Sequence, residues 1–230
     1  MRKRVYSQLC GRVIPGDTLV GDIHAFHSAQ EQPAAGAAEG TPVSHIHNMV
    51  GTCMIEKSVA SLDLRTISRV LPNCVYDQQK FAAITVRIFR PCCTVLLFTS
   101  GKMVLTMCRS LIQCVLAAHE VVRLLRRSAR GQVFRVRNVT IQNIVGNVDI
   151  GLREQSIDLE RFHSDNSMFS TYQKNMFLGL IYRPNNSPVV LLIFSSGKIV
   201  ITGGKSIGDV SDGWNALWPT VKKYVRLSAS

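Results

Sequence analysis

The sequence predicts an α+β fold in which two pseudo-symmetric repeats form one antiparallel sheet with helices on one side. Three observations support this prediction. Residues 81–109 recur as residues 177–205, each repeat reads as a strand, a helix, several strands and a second helix, and the strands are apolar on both faces. Because each repeat offers only about two helices, enough to cover one face, the other face of the sheet must meet another molecule.

The duplication covers a whole domain half rather than a short motif. The two segments read FAAITVRIFRPCCTVLLFTSGKMVLTMCR and FLGLIYRPNNSPVVLLIFSSGKIVITGGK, with Arg87 matching Arg183 and Phe98 matching Phe194 at a constant offset. Upstream, residues 47–51 (HNMVG) match residues 142–146 (QNIVG). A period of about one hundred residues is too long for a solenoid. The repeat therefore indicates a duplicated half-domain with an internal pseudo-two-fold.

Local signals place the elements of each repeat. A strand is predicted over residues 45–57. A short helix is predicted within residues 58–71, with Leu62, Ile67 and Val70 at roughly helical spacing on its apolar side and Ser61 or Asp63 as its cap. Strands are predicted over residues 80–106, with breaks at Arg90-Pro91 and Ser100-Gly101-Lys102. A long helix is predicted over residues 110–127. The second repeat predicts a short helix near residues 159–162, turns at Asn185-Asn186 and Ser196-Gly197-Lys198, and a last helix over residues 209–225.

The charge is strongly positive and lies in the repeats. Lysine and arginine outnumber aspartate and glutamate by 27 to 15, whereas residues 1–40 carry equal numbers of each sign. Such an excess is typical of a protein that binds a polyanion, although a merely soluble basic protein is the alternative. Residues 25–42 are rich in Ala, Gly, Gln and Pro, so we predict a disordered extension over residues 1–42, a first repeat over 43–131 and a second over 132–230.

The sequence gives little support for other classes of protein. The seven cysteines lack the paired spacing of a disulfide framework or a zinc site, which favours reduced thiols in a nuclear or cytosolic protein. Neither a secretory signal nor a run of roughly 20 apolar residues is recognisable. A nucleotide-binding glycine loop, a metal motif and a nucleophile motif are also missing. We therefore expect neither an enzyme nor a bound cofactor or metal.

Polar and aromatic residues recur on the strands at places that fit a DNA minor groove. Phenylalanines stand near the strand ends of both repeats, a lysine follows each Ser-Gly turn, and an asparagine and a threonine interrupt the apolar strands of each repeat. An apolar surface with a few amides, a basic rim and aromatic wedges is complementary to a groove that offers mainly acceptors and sugars. The alternative is an interface with another protein chain.

On these residues the chain resembles the TATA-binding protein family from about His45 to Arg226. The resemblance implies a saddle with one curved sheet and helices on its convex face. It also implies intercalation into DNA by Phe81, Phe98, Phe177 and Phe194. The minor-groove floor would comprise Asn48, Val50, Leu96, Val104, Thr106, Asn143, Val145, Leu192, Val200 and Thr202. The phosphate-contacting rim would comprise Lys80, Arg87, Ser100, Lys102, Arg109, Arg183, Ser196, Lys198 and Lys205.

Several departures from the family pattern indicate a divergent member or a related factor. The family's Thr-Gly-Ala-Lys reads Thr106-Met107-Cys108-Arg109 in the first repeat, and a usual proline is Leu178. The acidic pair that docks transcription factor IIB is replaced by Gln173, Lys174 and Asn175. These residues, and a basic stripe of Arg123, Arg126, Arg127 and Arg130 on the long helix, are the predicted partner-binding residues, with a solvated helix face as the alternative for the stripe.

The resemblance predicts a nuclear initiation factor that binds and bends A·T-rich, TATA-like promoter DNA and recruits IIA-like, IIB-like or other polymerase-specific factors. A homodimer of the free protein is a further expectation from the family. The competing hypothesis is a related scaffold with weak or relaxed DNA specificity that reaches promoters through protein partners. All four phenylalanines are retained, which favours DNA binding, since a pure scaffold has no need of exposed aromatics at symmetric strand ends.

Overall fold

The computed structural model describes residues 40–128 and 132–227, which fall into two compact units. The first unit is Asn48–Gln142, and the second contains residues 40–47 and 143–227. The predicted extension at residues 1–42 lies almost entirely outside the described residues, and the predicted repeat boundaries stay a prediction. The chain passes between units within strand β1 (His45–Lys57) and again within strand β6 (Phe134–Asp149).

The first unit contains an antiparallel sheet and two helices. After β1, its elements are α1 (Leu64–Val70), β2 (Cys74–Val75), β3 (Ala83–Phe89), β4 (Cys92–Phe98), β5 (Lys102–Cys108) and α2 (Leu111–Ser128). The strand order is β2-β3-β4-β5-β1. Helix α1 begins after Asp63, whose carboxylate accepts hydrogen bonds from the backbone amides of Arg65 and Thr66. The cap satisfies amides that have no partner inside the helix.

The core of the first unit follows from the period-two pattern of its strands. On β4 and β5, Val95, Leu97, Met103 and Leu105 are all fully buried, and helix α2 packs against these two strands. The helix positions with no exposed surface recur at helical spacing, and three of them are small. They are Cys114, Ala117, Ala118, Val121 and Leu125. Small residues let the helix approach the strands closely enough to exclude water from this side of the sheet.

The second unit repeats the arrangement with shorter strands. After β6 its elements are β7 (Gln155–Ile157), α3 (Leu159–Asp165), β8 (Ser170–Thr171), β9 (Leu180–Tyr182), β10 (Val190–Ile193), β11 (Lys198–Gly204), α4 (Ile207–Val221), a 3₁₀ turn (Lys222–Tyr224) and β12 (Val225–Leu227). The strand order is β6-β11-β10-β9-β8, all antiparallel, and β7 pairs with β12 in a separate ribbon.

Helix α4 covers one side of the second sheet. Its own residues Val210 and Trp214 are buried. The indole Nε1 of Trp214 donates to the carbonyl of Pro42 at 2.7 Å. This bond satisfies the one polar atom of the largest buried side chain. The helix starts with a capping box, in which the Ser206 hydroxyl accepts from the Asp209 amide and the Asp209 carboxylate accepts from the Ser206 amide.

Most elements lie where the sequence predicted them, with three corrections. Strand β1 has the predicted bounds, but the last helix is Ile207–Val221 rather than residues 209–225, because the chain tightens into a 3₁₀ turn at Lys222. Asp63, not Ser61, caps α1. Val70, expected on its apolar side, is exposed. None of the helices within residues 40–128 and 132–227 is both long and apolar enough to cross a membrane.

Candidate nucleic-acid interface

The sheet of the first unit has a second face that no helix of that unit packs on. Its predicted floor residues alternate with the core residues, and all of them are half-buried: Asn48, Val50, Leu96, Val104 and Thr106. Leu96 lies directly opposite Val104, and Thr94 directly opposite Thr106, on neighbouring antiparallel strands. Opposed residues on one face are in side-chain contact range. The structure therefore gathers the predicted floor of the first repeat into one apolar surface, which we call the first open face.

The second unit presents the corresponding surface, the second open face. Its predicted floor residues are half-buried as well: Asn143, Val145, Leu192, Val200 and Thr202. Leu192 lies opposite Val200, in the same relation as Leu96 and Val104. The intervening Leu191, Ile193, Ile199 and Ile201 are fully buried on the helix side. Both repeats thus divide their apolar side chains between a closed core and an open face.

The two wedge candidates of the first repeat lie side by side. Phe81 follows a turn in which the amides of Lys80 and Phe81 donate to the carbonyl of Asp77. Phe98 ends β4 opposite Ala83, so the register brings it next to Phe81. The ring centroids are 6.1 Å apart at an interplanar angle of 65°. The rings meet edge to face, a favourable geometry for aromatic pairs, although Phe81 is 48% exposed.

The second repeat builds the same pair. Phe177 follows an equivalent turn, its amide donating to the carbonyl of Gln173, and its ring centroid lies 5.7 Å from that of Phe194 at an interplanar angle of 72°. Gly179 allows this approach, because a Cβ there would stand 2.7 Å from Phe177 Cε1 and 3.0 Å from Phe194 Cε1. A large apolar ring pair left open to solvent in both units is costly unless it has a partner.

The predicted rim residues are all exposed in the structure. They are Lys80, Arg87, Ser100, Lys102, Arg109, Arg183, Ser196, Lys198 and Lys205. Lys80 pairs with Asp77 at 3.5 Å, with the lysine side chain 85% exposed, so this ion pair is weak and easily exchanged for a phosphate contact. The rim places cations at the edges of both open faces, where they can contact an anionic backbone.

Each open face contains a β-bulge held by its asparagine. In the first unit, the register of β1 and β5 shifts between Met49 and Gly51, and the Met107 amide donates to Oδ1 of Asn48 at 2.9 Å. In the second, the register of β6 and β11 shifts and the Gly203 amide donates to Oδ1 of Asn143 at 2.8 Å. A backbone amide thus occupies Oδ1 in both units, and Asn143 also donates from Nδ2 to the Thr202 hydroxyl at 3.2 Å. Because an amide nitrogen carries two hydrogens, Asn143 keeps a second Nδ2 donor for the acceptors of a bound groove.

The bulge puts one extra residue on each open face. Met107 has φ +62° and Gly203 has φ +94°, and both are exposed whereas the next residue, Cys108 or Gly204, is buried. A left-handed residue at a bulge is ordinarily glycine. Met107 is therefore the exception, and its side chain reaches back over β4, where the Thr94 hydroxyl lies 3.4 Å from Sδ.

The arginines of helix α2 are not equivalent. Arg123 forms a two-point ion pair with Glu120, and this hydrogen bond, followed by the Arg123 charge, lowers the pKa of Glu120 against the raising effect of partial burial. Arg126 donates both Nε and Nη2 to the carbonyl of Phe134, so it joins the helix to strand β6. Arg127 is exposed. Arg130 lies outside the described residues, so the predicted stripe of four is only partly described.

The segment that replaces the family's acidic pair is exposed. Gln173, Lys174 and Asn175 form the turn that leads into Phe177. Lys174 forms an ion pair with Glu160 of α3, which raises the pKa of the lysine, first through the hydrogen bond and then through the charge. The surface that would present acids to a partner instead presents a paired cation and two amides.

Two residues of the first open face were missed by the sequence analysis as site residues. Phe89 ends β3 on the same alternation as Arg87 and is 69% exposed, and Thr94 lies between Arg87 on β3 and Thr106 on β5. The period-two rule applied to β3 and β4 finds both, since the odd positions of β3 and the even positions of β4 share the open face.

Comparisons with known proteins agree with this geometry. A family model described as "Transcription factor TFIID (or TATA-binding protein, TBP)" matches residues 43–128 and 138–224. The TATA-box-binding protein of Saccharomyces cerevisiae is 32% identical over 213 residues, covering 93% of this chain and 85% of the yeast protein. That of Caenorhabditis elegans is 36% identical over 193 residues, covering 84% of this chain but only 54% of its own length.

A solved structure extends the comparison to the fold. Methanococcus jannaschii TBP matches with a TM-score of 0.67 and 30% sequence identity, covering 79% of this chain and 99% of the archaeal chain. The match therefore includes nearly every residue of the archaeal chain. Together with the family model, whose two matched segments correspond to the two repeats, these similarities establish that the chain belongs to the TATA-binding protein family.

Proposed function

We propose that this protein is a general transcription initiation factor that binds A·T-rich, TATA-like promoter DNA in the minor groove, bends it by phenylalanine insertion and recruits other initiation factors in the nucleus. The observation that carries the proposal is the ring pair at the same place in each repeat, an exposed phenylalanine against a half-buried one: Phe81 with Phe98, and Phe177 with Phe194. Family membership supports it, since the yeast and worm relatives are named for binding the TATA box.

The chemistry of each open face fits a minor groove better than a major groove. The minor groove of A·T pairs offers only the acceptors of adenine N3 and thymine O2 between sugar edges. Valine and leucine side chains can contact the sugars, while the Asn48 and Asn143 amides and the Thr106 and Thr202 hydroxyls can donate to the acceptors. A guanine would add an amine donor that meets mainly apolar atoms. The expected preference is for A·T pairs.

Insertion of the ring pairs accounts for bending. A wedge between base steps unstacks them at a cost of roughly a few kcal/mol per step, and pyrimidine–purine steps such as TA unstack most easily. The rim cations, including Lys102 and Lys198, would hold the phosphates on either side without reading sequence. Specificity therefore arises from the deformability of the site together with the apolar floor.

The recruitment half of the proposal concerns the helices on the other side of each sheet. Exposed Arg127, with the Arg123–Glu120 pair one turn earlier, offers a charged surface on helix α2. The missing acids at Gln173, Lys174 and Asn175 indicate that a IIB-like partner, if it docks on this turn, uses different contacts. Replacing Arg127 by Glu should weaken assembly of IIA-like or other factors on the DNA complex and leave DNA binding unchanged, measured by native gel shift.

The proposal is tested by fluorescence measurements of binding and bending on a short duplex with a TATA element, against a G·C-substituted duplex, over a salt series. We expect selective binding with a large bend, both attributable to the ring pairs. Weak, unselective and steeply salt-dependent binding would contradict the proposal and support the scaffold alternative, because non-specific affinity comes from phosphate contacts alone.

Ring-pair variants connect that measurement to the structure. Replacing Phe81 and Phe98 together by Ala, or Phe177 and Phe194 together, should remove the bend and weaken TATA binding by about ten-fold or more, given about 1–3 kcal/mol for each base–aromatic stack. Phe169→Ala is the matched control, since Phe169 is as exposed as Phe177, at 37%, but packs against Tyr182 instead. Loss of bending in that control as well would contradict the assignment of the pairs as wedges.

A further inference from the structure

The two open faces differ at the bulge, and this difference bears on how the protein is oriented on DNA. The bulge of the second unit exposes Gly203, which adds no side chain, whereas the bulge of the first exposes Met107, which is 58% exposed. The other floor positions match between the repeats in type. Met107 is thus a departure from pseudo-symmetry that lies beside the floor residues, on the surface that the proposed function assigns to DNA.

The position of the Met107 side chain is fixed by two contacts. Its backbone amide donates to Asn48 Oδ1 at 2.9 Å, and its Sδ lies 3.4 Å from the Thr94 hydroxyl. Thr94 lies opposite both Arg87 and Thr106, on the same alternation as Leu96 and Phe98. The thioether therefore lies on the first open face itself, between the asparagine and the strand that leads to the ring pair.

The backbone makes this side chain costly to keep. A residue with a Cβ is disfavoured at positive φ, and methionine gains no local hydrogen bond there as asparagine would. Strained residues of this kind are often found at functional sites. Glycine, which the second unit has at the same position, would relieve the strain, so the methionine side chain is expected to have a role on the open face.

We propose that Met107 is a specificity-determining residue that orients this protein on A·T-rich DNA, by rejecting a G·C pair under the first unit that is tolerated under the second. This inference rests on the proposed function. The flexible methionine chain can follow an A·T floor, but its thioether is only a weak acceptor. A guanine N2 amine facing it would lose water and gain no adequate partner. Under Gly203, the same amine can keep a water.

Orientation is measured on a palindromic A·T-rich duplex in which one A·T pair of one half-site is replaced by G·C, the replacement being moved along that half. A donor dye is attached to one DNA end. An acceptor is attached to the first unit at Arg69→Cys on helix α1, with Cys10, Cys74 and Cys92 replaced by Ser. Single-molecule energy transfer then counts the complexes in each orientation, and the amplitude of a second dye pair on the DNA reports bending.

We expect the protein with Met107 to place its first unit on the unsubstituted half in about five-fold excess or more at the most sensitive position, which is the effect of one buried amine without a partner. Met107→Gly should bring the two orientations close to equal. Met107→Asn, whose amide tolerates positive φ and can accept from guanine, should also remove the bias. Met168→Gly is the control, because Met168 is an exposed methionine in a turn of the second unit, and it should keep the bias.

The outcomes separate this inference from the function on which it rests. Binding and bending with equal orientations for the parent protein, or an unchanged bias in both Met107→Gly and Met107→Asn, would overturn the role of Met107 and leave the proposed function intact. Failure of the parent and of all variants to bind or bend the unsubstituted A·T duplex would overturn both proposals.

Discussion

The first and second repeats have the same floor residues on their open faces but different residues at the bulges beside them. Asn48 and Asn143 each hold the amide of a left-handed bulge residue, yet that residue is Met107 in one unit and Gly203 in the other. The same hydrogen-bonded framework is therefore built on glycine, which tolerates positive φ, in one unit and on methionine, which does not, in the other.

The starts of the two covering helices show the same kind of exchange. In the first unit, Oε1 of Gln113 accepts from the Arg109 amide at 2.8 Å. In the second, the Asp209 carboxylate accepts from the Lys205 amide, also at 2.8 Å. The two side chains occupy equivalent positions and perform the same task, but only one of them titrates. The repeats should therefore respond differently to acid.

The largest effect on stability is expected when a side chain is added at the second bulge, which then carries a Cβ at positive φ as the first bulge does. In Gly203→Ala, the new Cβ would stand 2.8 Å from the Pro188 carbonyl oxygen, a backbone atom that cannot easily move, at a strongly positive φ. We expect a loss of about 2–4 kcal/mol in the free energy of unfolding, measured by urea denaturation followed by circular dichroism. Met107→Gly should instead gain up to about 1 kcal/mol. Equal stability of Gly203→Ala and the parent would show that the second bulge is not constrained as described.

A smaller effect is expected at the helix starts and depends on pH. Partial burial raises the pKa of Asp209, but hydrogen bonds from the Ser206 hydroxyl and from the Lys205 and Ser206 amides lower it by more, so the net pKa is below its ordinary value. A carboxylate with a depressed pKa stabilises the folded state above the unfolded-state pKa, and this contribution is lost as pH falls through the folded-state pKa.

Asp209→Gln copies the first unit and should remove this acid sensitivity. Between about pH 7 and pH 3, the parent should lose about 0.5–2 kcal/mol more stability than the variant, the usual range for a helix cap, measured from urea midpoints at each pH. Gln113→Glu is the reciprocal variant and should add acid sensitivity to the first unit. An identical acid response of parent and Asp209→Gln would contradict the assigned role of the carboxylate.

The smallest effect on stability is expected from a substitution beside the second ring pair. Gly179→Ala gives the second unit the alanine that Ala83 provides in the first, and the flexible rings of Phe177 and Phe194 can move away from the new Cβ. We expect the ring spacing to widen from 5.7 Å towards the 6.1 Å of the first pair, at a cost below about 1 kcal/mol, observed by aromatic nuclear Overhauser effects. A much larger loss would mean that this ring pair is rigidly packed rather than adaptable.

The open faces could be predicted from sequence because they depend on local alternation and on the repeat. The register that sets Phe98 opposite Ala83 follows from the turn at Arg90-Pro91, which joins β3 to β4, so the meeting of Phe81 and Phe98 was implied by the sequence. The bulge at Met107 could not be predicted, because methionine carries no signal for positive φ. The bulge becomes predictable only when the structure of one unit is known, because Met107 aligns with Gly203 in the other repeat.

The interaction of Arg126 could not be predicted for a different reason. Its spacing from Arg123 correctly places both residues on one side of helix α2. Sequence spacing gives the side of a helix but does not identify the hydrogen-bond partner of a side chain. The acceptor is the backbone carbonyl of Phe134, eight residues further along the chain and outside the helix. Whether an arginine on a stripe is exposed or bonded to a distant carbonyl is decided by tertiary structure, which makes Arg127 the better probe of partner binding.

The distribution of cysteine and tryptophan gives each unit its own spectroscopic reporter. Cys53, Cys93, Cys108 and Cys114 are buried in the first unit, where Cys108 Sγ lies 3.0 Å from Cys93 Sγ and burial raises the pKa of Cys53 to about 12. Both tryptophans of the chain, Trp214 and Trp218, lie in the second unit, with their ring centroids 5.4 Å apart. Thiol reactivity therefore follows the opening of one repeat and indole fluorescence that of the other. Coincident transitions would mark a single cooperative unit, and separated transitions two.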